Sequence, residues 1–224
     1  MRIIEDIYLV GGGLYGIGIS NDLDCNVFLV DGESEMALID AGVGEGTSTI
    51  IDNIKKEGLD ISKVSKVILT HAHLDHSGGA AELKKSLGLE VCLSEIEAGF
   101  LENGDEDAIG LNIAKRTGVY AEHFSLTPVK IDQKLKGGES IKIGNYAIKV
   151  IPTPGHSRGS VCLLLEGHKN RVLFSGDTVF TRGVLCLLNL PDSSLADYRE
   201  GLKNLANLSI DTLLPSHMEL PGMM

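Results

Sequence analysis

Short apolar runs separated by turn residues open the chain. Residues 7–10, 25–30 and 36–39 are rich in Ile, Val, Leu and Phe and are bounded by glycine-rich or Asp-Gly sequence, which predicts strands that begin with antiparallel pairing. The period then lengthens. Ile50, Ile51 and Ile54 share one helical face, so 47–57 reads as a helix that Thr47 or Ser48 can cap and Gly58 ends. Residues 64–69 predict a buried strand and 79–87 a helix, while 95–120 read as mainly helical and polar. Strands follow over 140–143, 147–151, 160–165 and 172–175. A helix over 194–208 would place Leu195, Tyr198, Leu202, Leu205 and Leu208 on one face, and a last strand, 212–214, leads to His217.

Strands and then a helix, twice over, predict two packed sheets with helices outside. No linker, low-complexity stretch or charge block divides the chain, so one domain over 1–224 is expected. At 224 residues a single core can be stable without disulfides. Cys25, Cys92, Cys162 and Cys186 form no C-x-x-C pair, and they read as buried reduced thiols. The acidic opening Met1–Asp6 does not resemble a signal peptide, and no apolar run reaches the roughly 18 residues of a membrane helix. A soluble, cytoplasmic protein without a membrane partner is therefore expected. The net charge of −11 and the absence of tryptophan oppose a nucleic-acid partner, because the field repels phosphates and bases have little to stack on.

The candidate chemistry lies in Thr70-His71-Ala72-His73-Leu74-Asp75-His76, directly after an apolar strand. Residues two apart in extended chain point the same way, so His71 and His73 can hold one ion. Asp75 and His76 fall where the chain turns into a helix and can face a second. Three more candidates occupy turns after later strands: His156 in Thr-Pro-Gly-His-Ser, Asp177 in Phe-Ser-Gly-Asp-Thr and His217 in Leu-Pro-Ser-His. Imidazole and carboxylate donors suit zinc, with iron or manganese also compatible. Five of the seven histidines are so placed, whereas His123 and His168 read as surface residues.

The pattern H-x-H-x-D-H, followed by a His, a Gly-Asp and a final His after a short strand, resembles the metallo-β-lactamase superfamily over essentially the whole chain. The resemblance implies an αββα sandwich, two mixed sheets with helices on the outer faces and the site at one edge. It implies that His71, His73 and His156 bind a first metal and Asp75, His76 and His217 a second, with Asp177 bridging. Asp40 matches a family aspartate that would orient a ligand histidine, the alternative being that it caps the turn after its strand. Thr-Pro-Gly-His-Ser-x-Gly-Ser at 153–160, Phe-Ser-Gly-Asp-Thr-Val-Phe at 174–180 and Asn-Leu-Pro-Asp at 189–192 are similar to the glyoxalase II-like thioesterases. Two departures stand against that branch: Ser216 replaces the usual Gly, and only seven residues follow His217, too few for glutathione-binding helices.

Two bridged cations would lower the pKa of a shared water and polarise a carbonyl, with Asp75 either orienting the nucleophile and relaying its proton or serving purely as a ligand. The expected function is hydrolysis of a small acyl substrate, a thioester, lactone or ester. A persulfide dioxygenase with one iron is the first alternative and a metal-dependent phosphodiesterase or nuclease the second. A purely structural metal site is disfavoured by the size of the ligand set, and a β-lactamase by the missing signal peptide and by Asp177 at the bridging position. Residues 95–126, with Phe100, Tyr120 and Phe124, can cover the site and shape an acyl pocket, or can be a solvated helical pair with buried aromatics.

Overall fold

The computed structural model describes residues 1–217; residues 218–224, which the expected domain includes, lie outside the described residues. A seven-stranded sheet runs in sequence order: β1 (Arg2–Ile4), β2 (Ile7–Gly11), β3 (Val27–Asp31), β4 (Met36–Ile39), β5 (Val64–Ile68), β6 (Glu90–Ser94) and β7 (Gln133–Leu135). Its first four strands are antiparallel, as the opening sequence leads one to expect, and β4 to β7 are parallel. The second sheet has five strands, β8 (Ser140–Ile143), β9 (Tyr146–Pro152), β10 (Val161–Glu166), β11 (Val172–Gly176) and β12 (Thr212–Pro215), in the order β12-β11-β10-β9-β8. Only the β11–β12 pair is parallel there. Both sheets are thus mixed.

The helices are α1 (Thr47–Lys56), α2 (Leu74–Ser77), α3 (Ala80–Leu87), α4 (Glu95–Asn103), α5 (Leu111–Arg116) and α6 (Leu195–Leu205). None among the described residues is long and apolar enough to cross a membrane. Pleating sorts the strand residues between layers. Phe28, Val30, Ala37 and Ile39 face the other sheet, while Val27, Leu29, Met36 and Leu38 face the helices. Val161, Leu163 and Leu165 of β10 likewise face inward, and Cys162 and Leu164 face the side of α6. Burial on both faces is why these strands read as unbroken apolar runs rather than alternating ones. Between the sheets the rings of Phe28 and Phe174 lie 5.4 Å apart. The layers are helix, sheet, sheet, helix, the αββα sandwich.

Three expectations need correction. Strands β1, β6 and β7 extend the first sheet beyond the sequence reading. Helix α1 is preceded by Gly46 with no side-chain cap, since the Thr47 hydroxyl instead donates to the Gly44 carbonyl at 2.8 Å. Leu195 does not join the buried face of α6; it is 70% exposed, while Tyr198 is buried. Ser194 caps α6 by accepting from the Asp197 amide, which fixes Leu195 in the outward-facing first turn.

These positions predict opposite responses to truncation. Phe174→Ala should cost about 3–5 kcal/mol by opening a cavity between the sheets, whereas Leu195→Ala should stay within about 0.5 kcal/mol. Urea denaturation of both variants checks this, and equal losses would contradict the burial assigned to the two side chains.

Candidate metal centre

The candidate ligands come from strand ends that the topology brings to one edge. β4 and β5 are parallel, so Asp40 and the 70–76 segment leave the first sheet on the same side. β9 and β11 each pair antiparallel with β10 and therefore run alike, as does β12 beside β11. His156, Asp177 and His217 consequently emerge together from the second sheet. The Val161 amide donates to the Thr70 carbonyl at 2.9 Å and ties the two sheets at this edge.

Glycine immediately before two candidates permits the tight approach. Gly155, at φ +140°, leaves no room for a side chain, since a Cβ there would lie 2.3 Å from Tyr198 Cα. Gly176, at φ +52°, packs on Thr70 in the same manner. The Tyr198 hydroxyl lies 2.9 Å from the Asp177 carbonyl and 2.6 Å from that of Thr178, donating to this turn.

All seven candidates come together. His71 Nε2 and His156 Nε2 each lie 3.0 Å from His73 Nδ1. Beside this triad, His217 Nε2 is 3.1 Å and His76 Nε2 3.5 Å from Asp75 Oδ2. Asp177 stands between the groups, with Oδ1 3.4 Å from His76 Nε2 and Oδ2 3.6 Å from His156 Nε2 and 3.5 Å from His217 Nε2. His123 and His168 lie elsewhere, as expected: His123 pairs with Glu45 at the surface, and His168 meets the Glu5 carbonyl.

Outer partners fix the tautomers. His73 Nε2 faces Asp192 Oδ2 at 3.2 Å, His156 Nδ1 faces the Cys186 carbonyl at 2.8 Å and His76 Nδ1 faces Asp40 Oδ2 at 2.9 Å. An acceptor at each of these atoms assigns the proton there and leaves the other nitrogen with an unshared pair. Thr70 Oγ1 donates to Asp40 and lies 3.1 Å from His71 Nδ1, so it can accept from His71 and leave Nε2 free. In the neutral tautomers three unshared pairs then converge at 3.0 Å, and His76 Nε2 faces two carboxylates. His76 Nε2 and Asp177 Oδ1 are buried without a hydrogen-bond partner. Such an arrangement is repulsive by itself and fits cations, with His71, His73 and His156 able to hold one and Asp75, His76 and His217 another.

Burial and charge act unequally on these imidazoles: at His73 burial is outweighed by Asp192 and the pKa rises. Burial and the neighbouring imidazoles keep His71 neutral far below its ordinary pKa, and burial likewise brings His156 down to about 4. Burial acts to raise the Asp177 carboxyl, but His217 and His76 outweigh it and hold the group well below the usual range. For His76, burial is outweighed by anionic neighbours that include Asp75, Asp40 and Asp177, and its pKa rises.

Several positioning residues are not evident from the sequence. Glu97, on α4, is buried and accepts from the Ala72 amide at 2.8 Å and the Gly159 amide at 2.9 Å, so one carboxylate braces both histidine-bearing loops. Asp192 lies in the Asn-Leu-Pro-Asp stretch, but nothing in its spacing announces contact with His73. A cavity of about 1070 Å³ opens over Asp75, Asp177, His73, His156 and His217. Residues 109–120 line it through Ile109, Leu111, Ile113, Val119 and Tyr120. Of the three aromatic residues expected there, only Tyr120 does so; Phe124 is buried in the core and Phe100 packs against it. More of the lining comes from the apolar stretch between Val184 and Leu190, which no strand or helix claims. Cys186 belongs to that stretch and is half-buried, unlike Cys25, Cys92 and Cys162; all four are free thiols.

Known proteins share this architecture. The family model of the metallo-beta-lactamase superfamily matches residues 20–217. An acyl-coenzyme A thioesterase, MBLAC2 of Gallus gallus, is 32% identical over 214 residues, covering 88% of this chain and 73% of its own length. The hydroxyacylglutathione hydrolase GloC of Haemophilus influenzae is 32% identical over 155 residues, 69% of this chain and 66% of its own. The crystal structure of BJP-1, a subclass B3 metallo-beta-lactamase of Bradyrhizobium japonicum, superposes with a TM-score of 0.75 at 27% identity, covering 97% of this chain and 76% of that one.

The outer partners supply a prediction. Asp192→Ala should weaken zinc binding at the three-histidine group about 10–100-fold, because His73 loses the acceptor that orients it. Competition with a chelating dye measures this, and an unchanged affinity would remove Asp192 from the site.

Proposed function

The chain belongs to the metallo-β-lactamase superfamily, and from that premise we propose that it is a metal-dependent hydrolase of acyl thioesters or esters. The position of Asp177 carries the reading. Its two carboxylate oxygens face His76 on one side and His156 on the other, which suits a bridge between two cations. His71, His73 and His156 would hold the first ion and Asp75, His76 and His217 the second, with zinc the first choice and iron or manganese compatible. Bound there, the ions supply Lewis acidity, polarising an acyl carbonyl and lowering the pKa of water.

The protein groups do the positioning. Asp75 borders the cavity and accepts a hydrogen bond from the attacking water, orienting it toward the carbonyl carbon. Tyr120 lines the same space; burial and the nearby Asp75 push its hydroxyl pKa up, so it remains a neutral donor. The aliphatic wall keeps bulk water from the reacting bond. The acyl C–S or C–O bond breaks, the water oxygen stays on the carboxylate product, and the thiol or alcohol takes a proton. The names of two relatives, an acyl-coenzyme A thioesterase and a hydroxyacylglutathione hydrolase, support thioesters within this class. The acidic net charge of −11 and a lining rich in aliphatic side chains disfavour a polyanionic nucleic-acid substrate.

Metal analysis of protein prepared with excess zinc should return about two ions per chain. Asp177→Ala should lose the second ion and reduce thioester hydrolysis by about a hundredfold. The assignment fails if that variant keeps both ions and full activity. Oxygen uptake with persulfides by iron-loaded protein, in place of acyl hydrolysis, would mark it as a dioxygenase.

A further inference from the structure

Resting on the hydrolase reading above, we propose that the cavity over Asp75 and Asp177 is a site for a long aliphatic acyl chain, so that the preferred substrates carry such chains rather than small acyl groups. Volume is the first ground. At about 1070 Å³ the cavity lies just above the range that encloses drug-sized ligands, about 300–1,000 Å³. An acetyl or hydroxyacyl group held at the metal centre would leave most of that space to water.

The walls are the second ground. Ile109, Ile113 and Val119 line the cavity from one segment, and Leu185, Leu188 and Leu190 from another. Branched aliphatic side chains from two segments match a flexible hydrocarbon, since they offer dispersion contacts and few fixed hydrogen bonds that a polar ring would need. The rim is the third ground. Leu14 is 71% exposed, Val119 60% and Leu185 44%, although all three line the cavity. An apolar chain laid across them removes this surface from water, which is the driving force for its binding. Charge points the same way. Among the described residues, Arg182 is the only lysine or arginine in the lining, and Asp75 and Asp177 lie at the floor. A body bearing several anionic groups therefore does not match these walls, whereas a neutral chain does.

Two measurements test the assignment separately from catalysis. The first is the affinity of the metal-free chain for neutral fatty amides, from acetamide to dodecanamide. It should tighten by about fourfold for each added methylene until the cavity is filled. The second is kcat/KM for N-acetylcysteamine thioesters over the same acyl series with the zinc-loaded protein, which should rise in parallel. Ala114→Trp, which places an indole in the α5 wall, should shorten the chain length at which both gains level off. Affinities that do not change with chain length, together with turnover of the acetyl thioester, would overturn the acyl-chain site and leave the hydrolase reading standing. Length-dependent amide binding without turnover of any thioester would keep the site and remove the hydrolase. Tighter binding of a rigid bicyclic lactam than of any amide would also overturn the proposal.

Discussion

Unshared electron pairs that point at one another repel, and the organisation of this protein's edge follows from holding several of them together. His71 Nε2 and His156 Nε2 each lie 3.0 Å from His73 Nδ1, a crowding of nitrogens that the outer hydrogen-bond partners hold in place. Each outer partner comes from a different part of the chain: Thr70 backed by Asp40 after β4, Asp192 before α6, and the Cys186 carbonyl in the cavity wall. The two sheets must stay in register for these partners to meet, which the Val161–Thr70 hydrogen bond and the Phe28–Phe174 contact help to enforce. On the proposed reading, cations replace that repulsion with attraction. Metal binding is then linked to folding, because the unfolded chain offers no such convergence.

Two side chains show how the scaffold reaches the centre without touching it. Glu97 is a buried carboxylate on a helix that otherwise contributes to the apolar layer. Burial pushes its pKa up, and the Ser157 and Gly159 donors oppose that shift. By accepting from Ala72 and Gly159 it keeps the His71–His73 segment at a fixed distance from the His156 loop. Tyr198 does the same for Asp177 from α6, donating to the carbonyls of Asp177 and Thr178. Asp40 sits at φ +63°, a backbone state costly for a residue with a side chain, and its contacts with His76, Thr70 and Ser216 hold it there.

Legibility in the sequence followed the range of the interactions concerned. The segment from His71 to His76 could be read because its spacing is local and its residue types are chemically distinctive. His156, Asp177 and His217 could be read because each stands in a Gly, Pro or Ser turn after an apolar strand. Strand β7 escaped notice because Gln133 to Leu135 is short and mostly polar, at the sheet margin. Leu195 was misassigned because helical spacing cannot say where the supporting sheet ends. Asp192 and Glu97 were invisible as positioning residues: their contacts span 119 and 25 residues and leave no periodic trace. The stretch from Val184 to Leu190 did carry a signal, an apolar run between Gly183 and Pro191 with neither strand nor helix period. The run is not buried: Val184, Leu185 and Leu187 are exposed, and most of the stretch lines the cavity.

This division bears on how far resemblance can carry function. The candidate ligands sit just after strands or in the short helix α2, where backbone hydrogen bonds and sheet register leave little freedom. The cavity walls sit on α5 and an irregular loop, where side chains can change without disturbing the sheets. A fold of this kind can keep its hydrolytic edge while the space above it varies, so similarity over the ligand loops argues for reaction type and not for substrate. In this chain the space above the edge is large, aliphatic and partly open. On the proposed reading, residues 109–120 and 184–190 hold the determinants of what is hydrolysed, and the edge that gathers the candidate ligands holds the determinants of how.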